Sequence, residues 1–154
     1  MTFYLLALLI GIVAGLRAIT PPALVAWAAH LGWIDLSGSW LGFFANTWVR
    51  WILTLLAIVE LVTDQLPSTP SRTVPIQFGA RIATGALCGA ALGTAGGAML
   101  GGLVAGIVGA VIGTLGGRAL RARLAAAFGS DRPAAFIEDA VAIGGALLIG
   151  VALR

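Results

Sequence analysis

Residues 81–118 read RIATGALCGAALGTAGGAMLGGLVAGIVGAVIGTLGGR, with no charged residue between Arg81 and Arg118. Glycine recurs at every fourth position in this stretch and forms two successive ladders. Glycine at this spacing leaves a smooth groove along one helix face, so that a second helix can approach closely. The pattern predicts a glycine-packed helical hairpin inside a membrane protein. The packing positions are Gly85, Gly89, Gly93, Gly97, Gly101, Gly109, Gly113 and Gly117.

The composition of the 154-residue chain also indicates a membrane protein. It is 60% hydrophobic and 10% charged, with a mean hydropathy of +1.04, whereas a soluble domain has roughly 25% charged residues. We therefore predict a single integral membrane domain over residues 1–154, with the lipid bilayer as its surroundings. The nine basic residues are all arginines near the ends of apolar segments, where they set topology. We expect no nucleic-acid partner. The single cysteine, Cys88, excludes an internal disulfide and a cysteine-based metal site.

The apolar segments predict an all-α, polytopic transmembrane helical bundle of about five spans, since a spanning helix needs about 20 apolar residues. The segments cover residues 3–31, 47–66 and 133–153, with two more inside 75–120, where the chain must fold back near 96–102. The first segment is predicted to break at Thr20-Pro21-Pro22, because paired prolines remove backbone donors. Whether it is a re-entrant pair or one kinked span stays open.

The distribution of arginines predicts an orientation. Five spans place the N-terminus and the loops at 67–77 and 118–132 on one side of the membrane. That side holds six arginines and the other holds two, so the positive-inside rule predicts a cytoplasmic N-terminus and an external C-terminus. The first group is Arg72, Arg81, Arg118, Arg121, Arg123 and Arg132, and the second is Arg50 and Arg154.

A short internal similarity predicts a repeat. Residues 11–14 (GIVA) resemble residues 106–109 (GIVG), and each is followed downstream by a helix with an embedded acid, Glu60 or Glu138. An odd number of spans separates the two units, so they would be inserted in opposite directions. Inverted repeats are typical of transporters. Chance similarity between two segments of biased composition is the alternative.

Four carboxylates lie inside or beside apolar segments. Glu60 and Asp64 are four residues apart and share a helix face. Glu138 and Asp139 are adjacent, and adjacent helical positions point about 100° apart, so we expect only one to face the bundle interior. Carboxylates at membrane depth are costly and face a partner or a water-filled cavity. These four form either an ion or solute site or a structural ion-pair network with Arg72 and Arg81.

Arg17 is the most isolated charge, between Gly15 and the predicted break. A buried guanidinium there would hold an anionic substrate, pair with a carboxylate or brace the carbonyls freed by the break. Thr20 and Thr114 are predicted to satisfy backbone groups that the break leaves open.

Three pieces of the sequence resemble a family of small, uncharacterised bacterial integral membrane proteins, a domain of unknown function. They are ELVTDQLP at 60–67, GLRA at 15–18 and Glu138-Asp139, similar to an E-x-x-x-D-x-x-P and G-L-R-A type signature. The resemblance would cover nearly the whole chain. It implies a multi-span protein of the bacterial cytoplasmic membrane and no activity. It marks Arg17, Glu60, Asp64, Arg72, Glu138 and Asp139.

The leading functional hypothesis is a small-solute or ion channel or transporter that forms a homo-oligomer. Its site would be Arg17, Glu60, Asp64, Glu138 and Asp139, with Arg72, Arg81 and Thr20 in gating or salt-bridging roles. The alternative is a structural or assembly protein that oligomerises through the glycine faces. A third hypothesis is a lipid-phosphate enzyme with Glu60, Asp64 and Asp139 as metal ligands. It ranks last because the spacing of these ligands matches no recognisable metal motif.

Overall fold

A computed structural model describes residues 2–65 and 73–154 of the chain. Within these ranges the protein is all-α, as predicted. By length and composition, α5 and α6 are apolar enough to cross a membrane, and α1 is a shorter apolar helix. The helices are α1 (Thr2–Leu16), α2 (Thr20–His30), a 3₁₀ helix (Trp40–Ala45), α3 (Thr47–Thr63), α4 (Pro75–Ala95), α5 (Met99–Phe128) and α6 (Asp131–Ala152).

The glycine ladders bring α4 and α5 together as a hairpin. A Cβ added at Gly89 would lie 2.8 Å from the Cα of Gly106, and one at Gly93 would lie 2.8 Å from the Cα of Gly102. Backbone therefore meets backbone along this interface. The chain turns between α4 and α5 at residues 96–98, inside the predicted region. Gly97 differs from the packing role predicted for it: its φ is +75° and the space around it is open, so it serves the turn.

The second ladder packs α5 against α1. A Cβ at Gly109 would lie 3.0 Å from the Cα of Gly11, and one at Gly15 would lie 2.6 Å from the carbonyl carbon of Gly113. Nearer the start of both helices, Gly101 lies against the ring of Tyr4. The contacts advance in the same direction along both helices, so α1 and α5 are parallel. The core is thus α5 between α1 and α4, and both ladders are filled by helices of the same chain.

The first apolar segment breaks three residues before the predicted point. Helix α1 ends at Leu16 and α2 begins at Thr20. Pro21 and Pro22 lie in the first turn of α2, where a missing N–H is harmless because those donors have no partner within the helix. The prolines therefore begin the second helix, and the break itself is residues 17–19.

This break reverses the chain. Near the end of α1, Val13 lies 3.3 Å from the position of a Cβ added at Gly145 of α6, and Arg17, just after α1, contacts Asp139, so α1 runs antiparallel to α6. Along α2, by contrast, the chain moves from Arg17 beside Asp139 to Trp33 beside Arg154. Helix α2 therefore runs with α6 and against α1. The first segment is therefore a pair of antiparallel helices and not one kinked helix.

The reversal corrects the predicted position of the N-terminus. The start of α1 and the end of α6 lie at one end of the bundle, called here the terminal end. The break at 17–19, the end of α3 and the turn between α5 and α6 lie at the opposite end, called here the charged end. The sequence predicted the N-terminus on the arginine-rich side and the C-terminus opposite it. The N-terminus lies instead at the terminal end, because the first segment reverses its direction at the break.

The predicted inverted repeat is also corrected. It required α1 and α5 to run in opposite directions, but they are parallel neighbours whose glycines Gly11 and Gly106 touch. The short similarity at these positions reflects the same need for close backbone contact in both helices.

Helix α3 is the least integrated element. It packs mainly against α2 and the 3₁₀ helix, and none of its seventeen residues is buried by the described parts of the chain. Its apolar side chains, including Trp48, Leu55 and Val62, are largely exposed. The helix is therefore held to the bundle by few contacts, and those at its charged end are polar.

Candidate functional site: a charged cluster at the chain reversal

Arg17 is the centre of the charged end and is completely buried, at 0% exposure. Its Nη1 donates to the carboxylate of Asp64 at the end of α3 (2.5 Å), and its Nε donates to Asp139 of α6 (2.6 Å). A third carboxylate oxygen, from Glu138, lies 3.9 Å from Nη1. One guanidinium thus connects the break with α3 and α6.

Glu60 satisfies the backbone on the α2 side of the break. Its Oε1 accepts from the N–H of Ala18 (2.7 Å) and its Oε2 accepts from the N–H of Ile19 (2.9 Å). A carboxylate at a helix N-terminus also complements the helix dipole. The prediction that Thr20 and Thr114 would satisfy the loosened backbone is wrong. Among the described residues Thr20 Oγ1 has no hydrogen-bond partner, and the Thr114 hydroxyl donates to a carbonyl of its own helix, that of Ala110.

Arg81 satisfies the backbone on the α1 side. It is buried, at 3% exposure, and its Nη1 donates to the carbonyls of Gly15 (3.0 Å) and Leu16 (2.7 Å). These are among the last carbonyls of α1, which have no partner within the helix. A guanidinium also complements the negative end of the helix dipole. The reversal is therefore capped by an acid from α3 and a base from α4.

A second layer of polar contacts surrounds Arg17. Arg121 of α5 donates to both carboxylate oxygens of Asp131 (2.9 and 2.6 Å) and to Glu138 (3.3 Å). Gln65 donates from Nε2 to Asp139 (2.6 Å). The sequence predicted no site role for Arg121, Asp131 or Gln65. The available signals were that Arg121 lies one helical turn after the ladder glycine Gly117, and that Gln65 adjoins Asp64.

The structure brings most of the predicted site residues together, namely Arg17, Glu60, Asp64, Arg81, Glu138 and Asp139. Both Glu138 and Asp139 are buried, at 7% and 9% exposure, so the expectation that only one would face the interior is wrong. The two side chains point in different directions, and each contacts a guanidinium. Asp139 pairs with Arg17, and Glu138 pairs with Arg121. Arg72 lies outside the described residues.

Among the residues that the structure describes, the cluster contains five carboxylates and three guanidiniums. The described acids are Glu60, Asp64, Asp131, Glu138 and Asp139, and the described bases are Arg17, Arg81 and Arg121. A cavity of about 30 Å³ beside Arg121 and Glu138 has room for about one water molecule.

The charged cluster does not have the geometry of a metal site. Within residues 2–65 and 73–154 no group of three or more His, Cys, Asp or Glu side chains is arranged to hold a metal ion. Glu60, Asp64 and Asp139, the predicted metal ligands, instead face backbone N–H groups and Arg17. The metal-dependent enzyme hypothesis therefore gains no support from the positions of these residues.

Residues 4–152 match the family model DUF4126, a domain of unknown function, and the chain belongs to that family. The resemblance predicted from the sequence is confirmed at this level, and the family supplies no activity. No curated protein and no solved structure shows a significant match to the chain.

Proposed function

We propose that this DUF4126 protein is an integral membrane protein that moves a small solute or ion, with the charged cluster around Arg17 as its ion-responsive gate. The observation that carries the proposal is the completely buried Arg17, which pairs with carboxylates from α3 and α6. Ionisable groups at membrane depth are costly and commonly mark ion or substrate pathways.

The outer surface of the bundle supports a bilayer environment. Large apolar side chains are exposed along the lengths of α3, α5 and α6, for example Leu55, Val104 and Leu148. A continuous apolar surface of this kind would cause aggregation in water.

In this proposal, α1 and α2 form a re-entrant pair and the remaining four helices cross the bilayer. The eleven residues of α2 span about 16 Å, roughly half of the hydrocarbon core. The positive-inside rule then places the charged end towards the cytoplasmic side of a bacterial membrane, and the start of α1 and the end of α6 towards the outside.

Helix α3 is the proposed moving element. Its charged end is held by Glu60 on the break and by Asp64 on Arg17, while the rest of the helix makes few contacts with the core. Breaking a buried ion pair costs about 3–5 kcal/mol, because it leaves a charge uncompensated. Release of α3 must therefore accompany neutralisation of a carboxylate, and uptake of a proton or cation provides that neutralisation.

The homo-oligomer and assembly hypotheses placed the contact between chains on the glycine faces, and those faces are occupied within the chain. The ladder glycines on both faces of α5 contact α1 and α4 of the same chain, so they are not open to a second copy. A homo-oligomer would have to use another surface, such as the exposed face of α3.

The transport proposal is tested by flux from proteoliposomes, screened over protons, monovalent cations, anions and small organic ions. Asp64→Asn should raise flux by about tenfold or more, because neutralising this carboxylate permanently removes the charge pair that holds α3 to Arg17. Asp35→Asn is the matched control: Asp35 is an exposed loop carboxylate that accepts only from Ser37, and its variant should transport normally.

Two outcomes would contradict the proposal. One is wild-type flux from a folded Asp64→Asn protein, which would remove the charged cluster from the pathway. The other is absence of flux for every species from folded wild-type protein, which would remove the transport function. Glu60→Gln is less decisive than Asp64→Asn, because Glu60 accepts two backbone hydrogen bonds and its loss would also weaken the fold.

A further inference from the structure

An apolar groove of about 620 Å³ lies between α2, α3 and α6. It exists because α3 packs on α2 and the 3₁₀ helix but makes little contact with α6. Its walls are almost entirely apolar, with Leu24, Leu61 and Leu147 among them. Along α6 the groove extends from Ile143 to Arg154, a rise of about 16 Å, which is close to half of the roughly 30 Å hydrocarbon core. Its length therefore corresponds to one acyl chain of one leaflet.

Two arginines flank the groove at the terminal end. Arg154 lines the groove and lies 5.5 Å over the ring of Trp33. Arg50 lies 4.8 Å over the ring of Trp27, which is also in the groove wall. Neither arginine forms a salt bridge with any residue in the described parts of the chain.

Arg50 in addition has hydrogen-bond donors without acceptors. Its Nε and Nη1 atoms are buried and have no hydrogen-bond partner among residues 2–65 and 73–154. A buried unsatisfied donor costs free energy, most of all on a charged group. The terminal end of the groove thus combines positive charge with unused donors, and both favour an anionic ligand.

We propose that this groove binds an anionic phospholipid, with one acyl chain between α3 and α6 and the phosphate at Arg50 and Arg154. Guanidinium groups bind phosphate through paired, charge-assisted hydrogen bonds. Tryptophans such as Trp27 and Trp33 are enriched at the depth of lipid headgroups. This site lies at the opposite end from the Arg17 cluster and does not depend on the transport proposal.

A second apolar groove provides an internal comparison. It lies between α1 and α6, has a volume of about 310 Å³, and is lined by apolar residues from Leu6 to Ala152 without an arginine. Both grooves are apolar, but only the larger one has arginines at one end. The preference for an anionic headgroup is therefore predicted for the larger groove.

The test is lipid binding to delipidated, detergent-purified full-length protein, measured by native mass spectrometry. The probes are phosphatidylglycerol and phosphatidylcholine with identical acyl chains, and glycerol phosphate as a headgroup without chains. We expect one phosphatidylglycerol per chain, bound more tightly than phosphatidylcholine, and no glycerol phosphate. Arg154→Gln should lower the preference for phosphatidylglycerol by about fivefold, the effect of roughly 1 kcal/mol per basic residue.

Filling the groove tests the acyl-chain part. Ala57 lies on α3 in the groove wall, and Ala57→Phe should weaken binding of both lipids. Ala152→Phe, in the arginine-free groove, should leave both unchanged. The proposal is overturned by equal binding of the two lipids to wild type, by binding of glycerol phosphate alone, or by unaltered binding to Ala57→Phe. It is also overturned by a lipid-free dimer that Ala57→Phe dissociates, since a second copy would then occupy the groove.

Discussion

The same substitution, glycine to alanine, should have opposite effects at two positions of α5. Gly106 lies where α5 meets both α1 and α4. A Cβ there would lie 2.9 Å from the carbonyl carbon of Gly85 and 3.0 Å from the Cα of Gly89. Gly116 lies nearly three turns later on the same helix, and a Cβ there would meet nothing within 4 Å. The pair therefore separates close packing from the intrinsic effect of glycine.

The magnitudes follow from these contacts. Overpacking by one methyl group costs about 1–3 kcal/mol. The upper end applies at Gly106 because α5 cannot move away from α4 without pressing on Gly11 of α1, where an added Cβ would lie 3.0 Å from the Cα of Gly106. Replacing a helical glycine by alanine returns about 0.5–1 kcal/mol through lower backbone entropy of the unfolded chain. We expect Gly106→Ala to destabilise by about 2 kcal/mol and Gly116→Ala to stabilise by about 0.5–1 kcal/mol.

The assay is reversible unfolding of the purified protein in mixed micelles, with loss of helical circular dichroism followed as the denaturing detergent increases. The free energy of unfolding should fall for Gly106→Ala and rise slightly for Gly116→Ala. Equal shifts of the same sign in both variants would refute the reasoning, because they would show that the three-helix contact adds no constraint beyond glycine itself.

Two further predictions concern the charged end and the hairpin turn. Arg17→Met should lower the free energy of unfolding by about 3–5 kcal/mol, since Asp64 and Asp139 lose their buried cation. The same unfolding assay measures this change. A loss below about 1 kcal/mol would contradict the prediction, because it would show that other groups compensate these carboxylates. Gly97→Ala should destabilise by about 1–2 kcal/mol, because φ is +75° at Gly97 and alanine is strained there. Gly144→Ala, in open space on α6, is its control in the same assay, and an unaltered Gly97→Ala protein would contradict the strain argument.

The glycine-rich hairpin could be predicted from the sequence because its cause is local. Glycine at every fourth position permits close backbone contact whatever the partner helix, and the length of the stretch forces a turn. The common location of Glu60, Asp64, Glu138 and Asp139 could also be predicted, since each lies at the end of its apolar segment that faces an arginine-rich loop.

The reversal at residues 17–19 could not be predicted in the same way. Hydropathy records that a segment is apolar but not which way it runs, and a proline pair is equally compatible with the interior of a break and with the first turn of a new helix. The side chains that satisfy the backbone groups of the break also could not be predicted from the sequence. Glu60 and Arg81 are separated from it by long stretches of sequence, and only packing decides that they, and not Thr20, satisfy its backbone groups.

The two caps of the reversal have a consequence for how the protein is made. The N–H groups of Ala18 and Ile19 and the carbonyls of Gly15 and Leu16 find their partners on α3 and α4, which leave the ribosome after α1 and α2. Unsatisfied backbone groups are excluded from the hydrocarbon core. In the bilayer arrangement proposed above, the tip of the first pair would stay hydrated at the membrane surface during synthesis, and it would reach its final position only once α3 and α4 have been inserted.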